Sequence, residues 1–179
     1  MYLIFDTETT GLPKKWNAPL TDSDNWPRCV QLSWQIHDEG GALTSSRDYL
    51  IKPVGFKIPY DSEKIHGIST ELATQEGENI NNVLNYFQDD LTNVNYIIGH
   101  NVKFDRNILG AEFIRNDKKD PFPKLKIIDT CTEETANVCQ IKGGPRGRFK
   151  LPTLTELYFF LFNDKFKEAH NATADVEAT

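Results

Sequence analysis

The chain has 179 residues, 39% of them hydrophobic and 26% charged, which is the balance of an ordinary globular protein with its own core. It contains no apolar run approaching the ~18–20 residues that cross a bilayer, and its three cysteines lack metal-ligand spacing. We therefore expect a cytoplasmic protein without a membrane partner. The formal charge of −6 excludes a strongly basic, non-specific nucleic-acid binder, although two bound divalent cations would reduce that charge to −2.

The first third of the chain has the alternation of β-strands. Residues 2–6 predict a buried strand that ends in an acidic residue, and 30–37 predict a half-buried strand. Between them, 13–28 carries three prolines and is predicted to be a loop. A turn signal at 38–41 joins the second strand to a third at 42–51. These segments predict an antiparallel hairpin unit.

The rest of the chain changes to helical spacing interrupted by short strands. The predicted elements are a helix at 79–91, a strand at 96–99, a helix at 102–116 with Asn101 as its N-cap, a strand at 127–129, a helix at 131–139, a helix after the capping box of Thr153 and Glu156, and a last helix near Ala172. This order predicts an α/β fold with a mixed five-stranded sheet flanked by helices. We expect 1–179 to form one domain, with a C-terminal helix left incomplete four residues after Asp175.

Four carboxylates and one histidine follow one another in the order that two-metal phosphodiester chemistry requires. Asp6 and Glu8 follow the first strand, Asp105 closes a His-Asn-Val-Lys-Phe-Asp segment, and His170 and Asp175 frame the last motif. Two divalent cations can orient a phosphodiester and neutralise its charge, and Mg²⁺ prefers oxygen ligands. Residues two apart on a strand share a face, so Asp6 could bridge both cations while Glu8 holds one.

The spacing of His170 and Asp175 restricts their geometry. Five residues apart on one regular helix, their side chains would point about 140° apart. They converge only if His170 precedes the helix and Asp175 lies in its first turn, and Asn171 between them is a good N-cap for such a helix. Because histidine titrates near neutral pH, a histidine placed here can take a proton from an attacking water.

These three motifs resemble those of the DEDDh branch of the proofreading-type 3′–5′ exonucleases, and the match is similar to the catalytic domain of the DNA polymerase III epsilon subunit. The resemblance implies a ribonuclease H-like fold. It also implies that Asp6, Glu8, Asp105 and Asp175 bind two Mg²⁺ or Mn²⁺ ions and that His170 is the general base. The resemblance runs from residue 4 to the C-terminus and includes the Ile-His-Gly-Ile segment around His66.

The resemblance assigns contacts with the terminal nucleotide to residues 9–12 and to His66, and Asn101 and Phe104 are further candidates for which a structural role is favoured; each assignment has a structural alternative. The expected substrate-binding residues are Thr9, Thr10, Gly11, Leu12, His66, Asn101 and Phe104. The first four could instead form a simple turn, and His66 could be a loop histidine with satisfied hydrogen bonds. Asn101 could serve only as a helix cap, and Phe104 could belong to the core.

The segment 142–150 carries four positive charges, including Arg146 and Arg148. Charge runs of this kind are usually solvated loops. The alternative is a mobile segment that binds the phosphates of an incoming strand. Both interpretations stay open, and Arg146 and Arg148 are the candidate substrate-binding residues.

The predicted function is a metal-dependent 3′–5′ exonuclease that releases 5′-mononucleotides from single-stranded DNA. An exoribonuclease that trims RNA 3′ ends has the same five residues and stays open, because a contact with the 2′-hydroxyl decides between the two. A non-catalytic module that binds nucleic acid or a polymerase on the same scaffold is the third possibility. A polymerase subunit is a candidate partner in each case.

Overall fold

In a computed structural model that describes residues 1–166 and 169–179, the fold is built on one five-stranded sheet. The strands are β1 (Tyr2–Thr9), β2 (Cys29–His37), β3 (Leu43–Leu50), β4 (Tyr96–Gly99) and β5 (Lys126–Asp129). Their order in the sheet is β3-β2-β1-β4-β5. The first three strands pair antiparallel, whereas β4 pairs parallel to β1 and β5 parallel to β4. The predicted mixed sheet is confirmed.

Strand β1 is longer than the sequence indicated, and the difference matters for the site. The predicted strand stopped at residue 6, but pairing with β2 continues to Thr9, with an irregularity after Glu8. The sequence pattern failed here because the polar end of β1 has no apolar alternation, while its partner β2 supplies the hydrogen bonds. Asp6 and Glu8 therefore both lie within the central strand of the sheet.

Seven α-helices are present in the described residues. They are α1 (Tyr60–His66), α2 (Thr70–Glu76), α3 (Ile80–Leu91), α4 (Lys103–Arg115), α5 (Glu133–Cys139), α6 (Leu154–Phe162) and α7 (Ala172–Ala178), with short 3₁₀ turns at Phe122–Lys124 and Pro145–Gly147. Helices α1 and α2 were not predicted, since each has only seven residues and little apolar periodicity. Gly67, in the left-handed conformation (φ 76°), ends α1.

The main core lies between the sheet and helices α3 and α4. Leu3 and Phe5 of β1 point into it together with Phe87 of α3, and all three are fully buried. Because side chains alternate along a strand, Asp6 and Glu8 point to the opposite face of the sheet. Helix α7 contacts β1 and β2 and carries Asp175, which meets these two acids there.

Two of the predicted helix caps are confirmed and one is wrong. Thr153 forms the predicted capping box with Glu156, and the Asn171 side chain accepts hydrogen bonds at the start of α7. Asn101, however, has φ 61° and does not cap α4, which begins without a side-chain cap. A capping residue needs extended backbone, whereas the tight turn after β4 requires the left-handed conformation that asparagine tolerates.

Within residues 1–166 and 169–179, none of the helices combines the length and the apolar character needed to cross a membrane.

Candidate active site and metal centre

Three carboxylates converge on one face of the sheet. Asp6 and Glu8 project from β1 and Asp175 from α7, and one oxygen of each lies within 4.8 Å of the others. All three side chains are partly buried. Carboxylate oxygens at such distances repel one another unless a cation lies between them, so this donor set fits a hard divalent metal.

Helix α7 is positioned by its apolar face and by two polar residues of β2. Ala172 and Val176 are buried against the sheet. The backbone N–H of Ala172 donates to Gln31 Oε1 at 3.3 Å, and Ser33 Oγ lies 3.2 Å from Thr173 Oγ1. Gln31 and Ser33 are the cross-strand partners of Glu8 and Asp6, so the same stretch of sheet supports both parts of the site. The sequence analysis missed both residues, although polar side chains at alternate positions of a buried strand are a usable signal.

His170 and Asp175 have the geometry predicted from their spacing. His170 precedes α7 with φ 69°, Asn171 caps the helix, and Asp175 lies in its first turn. The backbone N–H of His170 donates to Asp175 Oδ2 at 3.2 Å, which closes the turn. The His170 side chain is exposed, so a substrate can reach it.

Asp105 stands apart from the three-carboxylate cluster. It lies in the first turn of α4 and is 4% exposed. Its Oδ1 accepts hydrogen bonds from the Thr7 hydroxyl at 2.6 Å and the Thr7 backbone N–H at 3.1 Å. Since Thr7 points to the core face of β1, Asp105 approaches the site from the other side of the strand. Its role as a metal ligand stays a prediction.

Burial and mutual repulsion raise the pKa values of the acidic groups of the site. Burial raises the pKa of Asp6 well above its usual value, and the nearby charges of Asp105, Asp175 and Glu8 raise it further. Burial and the charges of Asp175 and Asp105 raise the pKa of Glu8 to about 8. The pKa of Asp105 is raised by burial to about 7, although Thr7 opposes that shift. A cation would relieve this repulsion and restore the ionised ligands.

The segment after β1 forms a turn next to the carboxylates. The Thr9 hydroxyl donates to the Gly11 carbonyl at 2.7 Å, and the Thr10 hydroxyl accepts from the Arg28 N–H at 2.9 Å. Gly11 has φ 138°, a conformation that L side chains rarely adopt. Leu12 is 73% exposed at the tip of the turn. Thr10, Gly11 and Leu12 are at least partly exposed, whereas Thr9 is buried, and the substrate contacts of all four stay predictions.

His66 carries a buried nitrogen without a protein partner. Its Nδ1 accepts the Ile68 N–H at 3.1 Å, so the neutral ring bears its hydrogen on Nε2. Among the described residues, Nε2 has no hydrogen-bond partner. Burial lowers the pKa of His66, and the nearby Thr9 backbone, which does not meet hydrogen-bond geometry with Nε2, partly offsets that effect. A buried donor without a partner is costly, which favours a ligand contact over a purely structural histidine.

Asp129, which the sequence analysis did not single out, orders the turn before α4. Its Oδ1 accepts the backbone N–H groups of Asn101 and Cys131, each at 2.8 Å. The Asn101 side chain is left exposed, and Phe104 packs on the edge of the core. Their contacts with a substrate stay predictions.

The basic segment 142–150 is exposed but partly neutralised. Arg148 forms an ion pair with Glu133, and Lys150 pairs with Glu156 at 2.7 Å. Arg146 is exposed, with φ 57°. Because two of its four cations already have acidic partners, this segment offers less charge to phosphates than the sequence suggested.

Comparison with known proteins places this geometry in a family. A family model for exonucleases (RNase_T) matches residues 3–179. The chain belongs to the exonuclease family. The predicted exonuclease and the resemblance that led to it are thereby confirmed.

Similar proteins agree with this assignment. The chain is 28% identical to a PolC-type DNA polymerase III of Latilactobacillus sakei, covering 99% of this exonuclease chain and 11% of the polymerase. Escherichia coli Exonuclease I in complex with a dT13 oligonucleotide has 22% sequence identity and a TM-score of 0.77, over 99% of this chain and 39% of that one. The zinc-bound complex of the same enzyme with single-stranded DNA has a TM-score of 0.75 at 22% identity, over 99% and 38%. These structures confirm the ribonuclease H-like fold.

Proposed function

We propose that residues 1–179 form one domain that acts as a metal-dependent 3′–5′ exonuclease and releases 5′-mononucleotides from single-stranded DNA. The observation that carries the proposal is the convergence of Asp6, Glu8 and Asp175 beside His170. A cytoplasmic location is part of the proposal, supported by the odd number of cysteines.

Different residues of the chain would bind metal and transfer the proton during hydrolysis. Asp6, Glu8 and Asp175 would hold divalent cations, Mg²⁺ or Mn²⁺, with Asp105 as a further ligand that has to turn from Thr7. When bound, the cations would orient the phosphodiester and offset its negative charge. His170 takes a proton from the water that attacks phosphorus. The bond from phosphorus to O3′ breaks, the shortened strand gains a 3′-hydroxyl, and the released nucleotide keeps its 5′-phosphate.

The terminal nucleotide would be held by the turn after β1 and by His66. Thr9, Thr10, Gly11 and Leu12 present backbone groups and one exposed apolar side chain. His66 offers its Nε2 hydrogen to an acceptor on the nucleotide. Asn101 and Phe104 are assigned to the same nucleotide, and Arg146 and Arg148 are assigned to phosphates further along the strand.

Single-stranded DNA is the proposed substrate because a duplex end must be unpaired before its terminal nucleotide can enter a narrow site. The complexes of the similar Exonuclease I with single-stranded oligonucleotides support this choice. The similarity to a polymerase supports a polymerase subunit as partner.

The test is cleavage of matched 5′-labelled single-stranded DNA and RNA in Mg²⁺, in Mn²⁺ and in chelator. We expect stepwise shortening from the 3′ end of DNA that requires metal, with kcat lowered roughly 10²–10⁴-fold in His170→Ala. His37→Ala is the matched control, because His37 ends β2 and its ring bonds to Gly41 and Gln35.

Three results would contradict the proposal. Faster shortening of RNA than of DNA would assign the domain to exoribonucleases. Binding of both strands without any shortening would indicate a non-catalytic module. Undiminished activity of His170→Ala would remove the histidine from the mechanism.

A further inference from the structure

We propose that Trp16, together with Phe104, forms an aromatic platform on which a base of the single-stranded substrate stacks beside the metal site. The inference rests on the proposed function and extends it, since Trp16 lies in the proline-containing segment 13–28 to which no role has been assigned. We call that segment the arm.

Trp16 is an exposed aromatic residue at the edge of the site. Half of its surface, 50%, is open to solvent, and its ring centroid lies 5.9 Å from that of Phe104 with the planes at 52°. Phe104 directly precedes Asp105 in α4. The other two tryptophans, Trp26 and Trp34, are 3% and 0% exposed. A large apolar ring left in water, and packed on the residue that precedes the proposed metal ligand Asp105, is suited to a ligand with a flat apolar face.

The arm is anchored to α4 by packing. Leu20 lies so close to Gly110 that a Cβ at that glycine would be 2.8 Å from Leu20 Cδ1. Trp26 is buried, and its Nε1–H donates to the Pro19 carbonyl at 3.0 Å. The absence of a side chain at Gly110 therefore lets the arm dock against the helix that carries Asp105.

A buried ion pair anchors the far end of the arm. Arg115 donates to the Ser23 carbonyl at 2.6 Å and to the Pro27 carbonyl at 3.3 Å. The same guanidinium pairs at 3.0 Å with Glu112, which is 1% exposed and also binds Arg28 at 2.8 Å. Backbone carbonyls of the arm are thus satisfied by a side chain of α4, which fixes the path of the chain.

The backbone of Lys15, the residue before Trp16, is fixed by two hydrogen bonds to the Asn25 side chain. Asn25, which is 5% exposed, accepts the Lys15 N–H at 2.7 Å and donates its Nδ2 to the Lys15 carbonyl at 3.0 Å. The backbone N–H of Lys14 donates to the Asn25 carbonyl at 3.2 Å. Trp16 is therefore presented from fixed backbone, which lowers the entropic cost of binding a base.

The charges around Trp16 select the kind of ligand. Lys14 and Lys15 are exposed and directly precede the ring, and Leu12, which lies before them in the chain, is exposed as well. Exposed aromatic rings next to cations are how proteins bind single strands without sequence preference, the rings taking bases and the cations taking phosphates. The occupant is thus a single-stranded nucleic acid, whose next nucleotides pass over the arm as its terminus enters the site.

Tryptophan fluorescence gives a direct test, because Trp16 is the exposed member of three tryptophans. We expect an oligothymidylate to quench the emission of the wild-type protein in chelator, where cleavage is blocked. Trp16→Phe should abolish the quenching while retaining binding of a labelled oligothymidylate, measured by anisotropy. Trp16→Ala should weaken that binding and raise KM roughly tenfold, the size expected for one stacked base, with little change in kcat.

Tyr86→Ala is the matched control. Tyr86 of α3 is 36% exposed and packs on Tyr49 of β3 with ring centroids 5.7 Å apart, so it reproduces an exposed aromatic pair away from the carboxylates. We expect this variant to keep wild-type KM and oligonucleotide affinity.

The outcomes separate this inference from the proposed function. A Trp16→Ala protein with lowered melting temperature and unchanged KM would show that the ring only packs on Phe104. Absence of quenching in a protein that binds the oligonucleotide would also overturn the platform, as would quenching by a protein partner but not by DNA. If the wild type is quenched and binds DNA but does not cleave it, the platform stands and the proposed function fails.

Discussion

The two sides of the carboxylate cluster differ in how they are supported. Asp6 and Glu8 lie on the central strand, which is hydrogen-bonded to β2 on one edge and to β4 on the other. Asp175 and His170 depend on α7, a helix of seven residues, far below the ~12–15 at which an isolated helix becomes marginally stable. Both sides supply carboxylates to the site, but one side is fixed by strand pairing and the other by a short helix.

This difference suggests that the two sides of the site respond differently to metal removal and to mutation. The strand side is part of the core and should keep its geometry whether or not metal is bound. The helix side is held by the burial of Ala172 and Val176 and by contacts with Gln31 and Ser33. Changes on the strand should therefore alter chemistry alone, whereas changes under α7 should alter the position of His170 and Asp175.

The largest expected effect is loss of activity on the strand side without loss of fold. Asp6→Asn should lower kcat/KM at least about 10³-fold, because it removes a central ligand. In chelator the same variant should melt at a higher temperature than the wild type, since it removes one of several repelling carboxylates. Asp89→Asn, an exposed acid on α3, is the control for both measurements. A lower melting temperature for Asp6→Asn would contradict the rigid strand side.

The raised pKa values on the strand side predict a pH-dependent stability. In the folded protein the pKa of Glu8 is about 8 and that of Asp105 about 7, both above the unfolded values, so the folded state binds more protons. Stability in chelator should thus be greatest below about pH 5 and fall progressively as the pH rises to about 8. Urea unfolding at several pH values measures this slope.

Glu8→Gln should flatten that slope, and saturating Mg²⁺ should abolish it because the cation offsets the ionised ligands. A metal-free protein whose stability is constant over the same range would contradict the electrostatic account of the site.

Truncating one buried valine on the helix side and one in the core tests whether the two regions differ in their effect on stability and activity. Val176 of α7 is 1% exposed and Val83 of α3 is 0% exposed. Removing two methyl groups costs about 2 kcal/mol at a well-packed position. We expect Val83→Ala to lower global stability by that amount with kcat intact. Val176→Ala should instead lower kcat and metal affinity, with a smaller loss of global stability, as measured by activity assays and urea unfolding. Equal behaviour of the two variants would mean that α7 is part of the main cooperative unit.

The smallest expected effect comes from a pair of helix caps. Asn171→Ala removes the cap of α7 and Thr153→Ala removes the cap of α6, each at a cost of about 1 kcal/mol. Only Asn171→Ala should weaken metal binding, because α7 carries Asp175 and α6 carries none of the carboxylates of the site. Titration with Mn²⁺ compares the two variants, and an equal decrease in affinity would remove the special role of the Asn171 cap.

The sequence by itself determined the features that depend on near neighbours along the chain. The strand at β2, the capping box at Thr153 and the cap at Asn171 are local patterns, and each appears as predicted. The expected half-burial of β2 was wrong, because α7 and the core cover both of its faces and leave only His37 partly exposed. The arrangement of His170 and Asp175 also followed from their spacing and one cap. The order of the motifs was enough to indicate the family, because catalytic residues of one site keep their order along the chain.

Tertiary structure alone decided the features that depend on distant partners. Asp105 bonds to Thr7, 98 residues away in the chain, and Asn101 turns left-handed to meet Asp129. The arm looked like a simple loop until Arg115 was seen to bind its carbonyls. Such contacts carry no local signature, since the partner is chosen by the packing of the sheet and α4, and they fix the backbone on which Trp16 packs against Phe104.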